Sequence, residues 1–221
     1  MYRLLRLLPS CFVVVLLLAL SVSACGEQEA FQAYEQGQHA LARQRLQDAR
    51  THFDRALALD SSYAQAYLAR GQISWEQQQY EQALPDLSRA IELDPHLVWA
   101  YYLRGASLMT LHQYEASLPD FERFLDSEQV EVPDRVRAHR WRGIALLNLE
   151  RPDEALVDFS ACITLQPDRA FNYKERAEIY EGMGQLAEAI TDYAAYMART
   201  DKDNEEALAV QHHLDSLRTV K

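Results

Sequence analysis

Histidine and cysteine supply many catalytic and metal-binding sites, and this 221-residue chain contains seven histidines and three cysteines. The one adjacent pair, His212 and His213, would lie on different faces of a helix, without a cysteine or carboxylate at metal-ligand spacing. The sequence has no glycine-rich phosphate loop, no G-x-S-x-G motif and no H-E-x-x-H motif. We therefore expect no enzyme activity, metal ion, cofactor or small-molecule substrate.

One cysteine has a distinctive context near the N-terminus. Arg3 and Arg6 form a short basic region, an uncharged apolar run covers residues 11–20, and small residues lead to Cys25. The run is shorter than the roughly 20 residues that a membrane-spanning helix needs. The order of basic, apolar and small residues is that of an export signal.

The residues Val22-Ser23-Ala24-Cys25 resemble the lipobox of bacterial lipoproteins. The resemblance implies a signal peptide over residues 1–24, acyl chains such as palmitate on Cys25, and a short linker over residues 25–29. In that family, Gly26 in second place implies the outer membrane, so we expect an exported protein anchored at its periplasmic face. Ordinary cleavage that leaves a free thiol and an uncleaved anchor remain alternatives.

The charge of the chain excludes one class of partner. Lys and Arg number 22 against 33 Asp and Glu, a net charge of −11. Removal of residues 1–24 takes away two arginines and no acid, which leaves 20 basic against 33 acidic residues and a net charge of −13. A chain this acidic is not expected to bind nucleic acid.

A period of 34 residues organises the remainder of the chain. The segment 79–87 returns as 113–121, and Arg70-Gly71 returns as Arg104-Gly105 and, after a four-residue insertion, as Arg142-Gly143. A period of this size is typical of a solenoid of repeated helices. The five units are 30–63, 64–97, 98–131, 136–169 and 170–203. An acidic insertion over residues 127–135 replaces the turn between units three and four and ends in a helix start that contains Pro133. We expect it to be a longer tolerated loop or a second contact site.

Small and large residues recur at fixed positions in these units. The eighth residue is Gly or Ala, the twentieth is Ala or Ser, and the twenty-fourth is large: Phe53, Leu87, Phe121, Phe159 and Tyr193. This pattern resembles the tetratricopeptide repeat. The resemblance implies an all-α fold, an α/α superhelix of five helical hairpins with a concave and a convex face. Phe124 and Tyr196 depart from it at position 27, where local packing should differ.

Two further features follow from the register. Cys162 is the residue at position 27 of unit four, where small apolar residues pack, so we expect a buried and unreactive thiol. Residues 204–221 predict an amphipathic capping helix, since Ala207, Val210, Leu214 and Leu217 share one face and Asp203 with Glu206 resembles a capping box. A partner-binding helix is the alternative for this segment.

Charged residues at positions 7 and 23 change together between the units. Unit one has Gln36 and His52 there, whereas the other four units have Arg and Asp. We interpret this as ion pairs between the two helices of a hairpin or between neighbouring hairpins, because the Arg fork can meet a carboxylate with two hydrogen bonds. An arginine ladder for an anionic ligand is the alternative. The expected pairs are Arg70 with Asp86, Arg104 with Asp120, Arg142 with Asp158, and Arg176 with Asp192.

The resemblance also implies where a partner would bind. In the family, the concave groove is lined by positions 2, 5, 9 and 12 of the first helix of each repeat. Here these positions predict an aromatic groove with a basic step, formed by Phe31, Tyr34, Leu68, Trp75, Trp99, Tyr102, Met109, Arg137 and Arg140, with Phe171, Lys174, Glu178 and Glu181 in unit five. Aromatic and Arg residues are frequent in binding hot spots. Packing of these aromatics against neighbouring helices is the alternative.

The predicted function is that of a lipid-anchored adaptor that binds an envelope protein through this groove. Its most specific form is a lipoprotein that helps to assemble a type IV pilus secretin, a group that it resembles in size, lipobox and tandem repeats. A regulator of a peptidoglycan-remodelling enzyme and a general structural or stress protein of the envelope are the alternatives.

Overall fold

The protein is helical throughout the residues that its computed structural model describes, 26–201 and 205–219, with no strand among them. Cys25, its lipobox and Asp203 of the predicted capping box lie outside these residues. None of the described helices is long and apolar enough to cross a bilayer. The helices are α1 over 26–42, α2 Leu46–Leu59, α3 Ala64–Glu76, α4 Tyr80–Leu93, α5 Val98–Thr110, α6 Tyr114–Leu125, α7 Val132–Asn148, α8 Pro152–Leu165, α9 Ala170–Gly182, α10 Leu186–Met197 and α11 Glu205–Thr219.

Helices pack in the order in which they occur along the chain. The chain divides into two compact units, one up to Leu103 and one from Arg104 onward. In the first unit α3 contacts both α2 and α4, and in the second unit each helix from α6 to α11 contacts the next, with α9 against α10 especially extensive. Because each helix contacts its sequence neighbours, most of the packing is local, as in a repeat protein. The expected all-α arrangement of helical hairpins is confirmed.

Each hairpin turns at the same place, position 15 of its repeat. The residue there has a positive φ of 58° or 59° in the first four repeats and 74° in the fifth, at Gln44, Gln78, His112, Glu150 and Gly184. The next residue then donates its N–H to a carbonyl five residues back, as Arg151 does to Leu146 at 2.9 Å. This is the left-handed ending that satisfies free carbonyls at a helix C-terminus.

Close approach within a hairpin explains the small residues at position 8. A Cβ added to Gly37 would lie 2.4 Å from the ring of Phe53, and one added to Gly143 would lie 2.7 Å from the ring of Phe159. Both aromatic rings are almost fully buried. The glycine therefore lets the large residue at position 24 fill the space between the two helices.

One predicted boundary is wrong. Residues 26–29 belong to α1 and are not a linker. The predicted helix start at the end of the insertion before repeat four is present, because α7 begins at Val132, with Pro133 in its first turn, where a missing N–H costs no hydrogen bond. The remaining loop is held by Arg135, which donates to the carbonyl oxygens of Leu125 at 2.7 Å and Ser127 at 2.5 Å.

The last helix covers the end of the second unit, as expected of a capping helix. Its apolar residues Val210, Leu214 and Leu217 are buried in one cluster with Tyr173 and Tyr193. Glu181 of α9 links α10 and α11, since it accepts a hydrogen bond from Tyr193 at 2.9 Å and contacts His213 at 2.8 Å. The apolar stripe of α11 is therefore occupied within the chain.

Candidate functional site

The four expected Arg–Asp pairs are present, each between the two helices of one repeat. Arg104 donates from Nε to Oδ2 of Asp120 at 2.8 Å and from Nη2 to Oδ1 at 2.7 Å. The other three pairs have the same two-bond geometry, with distances of 2.6–2.9 Å: Arg70–Asp86, Arg142–Asp158 and Arg176–Asp192. The aspartates of the last three pairs along the chain are buried. The four arginines therefore hold the two helices of their repeats together and are not arranged as a site for an anionic ligand.

Some of these arginines also reach the preceding hairpin. Nη1 of Arg70 donates to Asp54 at 2.7 Å, and Nη1 of Arg176 donates to Ser160 at 2.9 Å. The hydrogen bonds that Arg70 donates to Asp86 raise its pKa, burial opposes this shift, and the hydrogen bond that it donates to Asp54 adds to the rise. One guanidinium therefore links three helices.

The predicted aromatic positions of the first unit differ in exposure. Phe31 and Trp99 are 49% and 42% exposed. Tyr34 and Leu68 are half-buried, and the Tyr34 ring packs against Tyr63 with a centroid distance of 5.0 Å. Exposed aromatic surface in this unit is therefore concentrated at Phe31 and Trp99.

Two predicted groove residues are buried and do not form an open binding surface. Tyr102 is 6% exposed and packs edge-on against Trp99, with 5.6 Å between ring centroids, and Met109 is 5% exposed. Trp75 is half-buried, and its indole Nε1 is buried without a hydrogen-bond acceptor in the described part of the chain. The alternative that aromatics of the first helices pack internally is therefore correct for Tyr102.

Arg137 and Arg140, the basic residues of the predicted groove, both contact acidic neighbours. Arg137 is exposed and forms an ion pair with Asp134. Arg140 donates to Glu175 at 2.9 Å and to the side-chain oxygen of Asn172 at 3.0 Å. These contacts lower the positive charge that this surface offers to a ligand.

Two cations flank an exposed ring at the N-terminal end of α9. Phe171 is 43% exposed, with the guanidinium of Arg140 at 5.3 Å and the ammonium of Lys174 at 5.7 Å from its centroid. Lys174 also contacts Glu206 at 2.5 Å, a hydrogen bond that raises its pKa. Both cations therefore have acidic partners as well as the aromatic face.

The second unit contains a cavity of about 400 Å³, and of its lining residues only Glu178 belongs to the predicted groove. Ile144 and Leu147 of α7 face Ile179 and Met183 from the α9 side, and Glu175 and Glu178 supply carboxylates. The sequence contained a signal for this cavity. Ile144 and Leu147 stand at the groove positions 9 and 12 of repeat four, for which the prediction named only Arg137 and Arg140 at positions 2 and 5. This cavity is a candidate site for a ligand side chain.

The environment of Cys162 does not favour a reactive thiol. Cys162 is fully buried, and its thiol contacts the carbonyl oxygen of Val136 at 3.5 Å. Burial raises the pKa of this thiol to about 12, so it is protonated at neutral pH and a poor nucleophile. The expected inert thiol agrees with this environment. No group of residues suited to holding a metal ion occurs in the described chain.

Comparison with known proteins decides the family. The sequence profile of the tetratricopeptide repeat matches residues 34–97 and 102–170. The chain belongs to the tetratricopeptide repeat family. Tetratricopeptide repeat protein 13 of Homo sapiens is 40% identical over 67 residues, 28% of this chain and 8% of that protein. The chain thus spans a small part of that relative.

Solved structures of other repeat proteins share the fold. YrrB, a tetratricopeptide repeat protein with an unusual peptide-binding site, is 23% identical with a TM-score of 0.73, over 83% of this chain and 92% of YrrB. PilF of Pseudomonas aeruginosa is 18% identical with a TM-score of 0.66, over 87% of this chain and 86% of PilF. At these identities the likeness concerns the fold.

Proposed function

We propose that this repeat protein is a lipid-anchored adaptor that binds another envelope protein through the first helices of its repeats. The observation that carries the binding role is the cavity between Ile144 and Ile179, with carboxylates beside an apolar lining. A concave, mostly apolar site with a few polar groups is the usual form of a ligand site. YrrB, which shares the fold, has a peptide-binding site. The adaptor acts by binding alone and catalyses no reaction.

The lipobox supports the location of this adaptor. Helix α1 already includes residue 26, so acyl chains on Cys25 would hold α1 within one residue of the bilayer surface. A partner that works at the periplasmic face of the outer membrane fits this short tether. Assembly of a type IV pilus secretin is the most specific version, and it rests on the lipobox and the small tandem-repeat plan.

Acyl labelling of cells that express the wild type or Cys25→Ser tests the anchor. The wild type should carry label and sediment with membranes, whereas Cys25→Ser should carry none. Acyl labelling that persists in Cys25→Ser would refute anchoring at this residue.

Site-specific photo-crosslinking in cells tests the binding role. A photoreactive amino acid replaces Phe171, which is exposed on α9, or Val157, which is 68% exposed on α8 and serves as the control. We expect adducts with an envelope protein from position 171 in wild-type cells, fewer adducts when Cys25 is Ser, and few from position 157. Equal yields from the two positions would contradict the proposed binding surface.

A further inference from the structure

The cavity of the second unit has a chemically uneven lining. Four residues of α9 that face it, Glu175, Glu178, Ile179 and Gly182, follow the spacing of a single helix face. Opposite them lie Ile144 and Leu147 of α7. One side of the opening therefore carries two carboxylates, while the remainder is apolar.

The carboxylate of Glu175 is only partly satisfied by its neighbours. Its side chain is 16% exposed, and Arg140 donates to Oε2 at 2.9 Å, whereas Oε1 accepts no hydrogen bond in the described part of the chain. Burial raises the pKa of Glu175, and Arg140 opposes this effect. A further hydrogen-bond donor from a cationic ligand would stabilise the ionised form.

The local balance of charge favours a cation in this place. Glu178 is 55% exposed, and its closest cation is Lys174 at 3.7 Å. Lys174 is nearer to Glu206, at 2.5 Å, and Arg140 is already bound to Glu175. The lining of the cavity therefore carries two carboxylates, Glu175 and Glu178, and no cationic side chain among its described residues.

The cavity is too small to take the face of a folded domain. The cavity volume of about 400 Å³ lies at the lower end of the roughly 300–1,000 Å³ of small-ligand sites. This volume suits one or two side chains and not the face of a folded domain. Gly182 borders open space at the edge of the cavity, because a Cβ added there would meet no atom within 4 Å.

From this geometry we infer that the cavity binds a peptide segment of a partner protein in which a large aliphatic or aromatic side chain is followed within two residues by Arg or Lys. The apolar side chain lies between Ile144, Leu147 and Ile179. The cationic group donates to Glu178 and to Oε1 of Glu175. This inference rests on the proposed adaptor function and names the chemistry of its partner.

A phage-displayed library of random 12-residue peptides, selected on the full chain, tests this specificity. Selected peptides should share an apolar side chain followed closely by Arg or Lys, and their binding is then measured by fluorescence anisotropy. Gly182→Leu should weaken binding by about tenfold or more, because its side chain fills the cavity from an open helical position. Glu178→Lys should weaken binding by a similar factor through charge repulsion.

Glu188→Lys is the matched control, since Glu188 is exposed on α10 and does not line the cavity. It should change binding by less than about twofold. Circular dichroism checks that each variant is folded, and Glu178→Lys remains a valid surface test if Gly182→Leu disturbs the helix.

Three outcomes would overturn the inference: selected peptides that are acidic, binding that Gly182→Leu and Glu178→Lys leave unchanged, or no selected peptide. The first two leave the adaptor role intact, because peptides still bind the chain. Failure of the adaptor role itself would appear as an absence of crosslinks from Phe171 in cells.

Discussion

Arg104 and Asp120 illustrate how single residues hold a hairpin of this protein together. The carboxylate of Asp120 is 3% exposed, and both of its oxygens accept hydrogen bonds from one guanidinium. Burial raises the pKa of Asp120, and Arg104 opposes this shift. The ionised carboxylate therefore depends on its partner, because a buried charge without a partner is strongly unfavourable.

Removal of Arg104 should expose this dependence. Arg104→Met should lower the free energy of unfolding by about 3–5 kcal/mol, because it leaves Asp120 buried without its cation. Arg104→Met with Asp120→Asn should recover part of the loss, since the buried group is then neutral. Urea unfolding followed by circular dichroism measures both variants. Equal stability of Arg104→Met and the wild type would show that the pair contributes nothing.

The sequence predicted some side-chain contacts of this protein and not others. The Arg and Asp positions change together between copies, so their contact was predictable from five related units in one chain. Burial of Tyr102 and Met109 was not, because position in the repeat gives the helix face but not how closely a neighbouring side chain packs. Of the cavity beside Glu175, only Glu178 was predicted, because the lining combines groove positions with residues of several helices whose packing the repeat register does not give.

At the scale of the elements, the turn between the two helices of a hairpin is more uniform than its sequence. Gln78 and Gly184 occupy the same left-handed position, with φ of 59° and 74°. Only the glycine of repeat five signals this conformation, so the turn geometry was not predicted from the other four copies. A side chain in the left-handed region costs about 1–2 kcal/mol relative to glycine.

The left-handed conformation at position 15 predicts stability changes of opposite sign for substitutions at Gly184 and at Gln78. Gly184→Ala should lower the free energy of unfolding by about 1 kcal/mol, and Gln78→Gly should raise it by a similar amount. Gly182→Ala is the control, because Gly182 is helical and a Cβ there is unobstructed. Its effect should be neutral or slightly stabilising. Thermal unfolding measures the order of stability of the three variants. A Gly184→Ala variant more stable than the wild type would contradict the turn assignment.

The element boundaries also show why local sequence signals are incomplete. Pro133 correctly indicated a helix start, but the resulting helix α7 begins at Val132, before the repeat register predicts. The inserted residues therefore extend a helix, since helical hydrogen bonding continues wherever the backbone permits it. The apolar stripe of α11 was predicted accurately because burial of one helix face imposes a regular spacing.

At the scale of the whole molecule, charge affects how a partner arrives. The net charge of −11 gives the chain a negative field that attracts cations before contact. A peptide with a basic residue, as inferred for the cavity beside Glu178, should therefore associate faster than a neutral peptide of the same shape.

This difference should depend on salt. Raising the ionic strength from 0.01 M to 0.15 M shortens the screening length from about 30 Å to about 8 Å. For a selected peptide that carries Arg, we expect the association rate to fall by about tenfold, while the dissociation rate changes by less than about threefold. Stopped-flow fluorescence measures both rates with the full chain.

The matched control is the same peptide with citrulline in place of Arg, which keeps the shape and removes the charge. Its association rate should change by less than about twofold over the same range of salt, because long-range attraction no longer contributes. A dissociation rate that is faster for the citrulline peptide at 0.15 M would report the loss of the short-range contact with Glu178 and Glu175. Equal salt dependence of the two peptides would mean that the acidic surface of the chain does not guide this encounter.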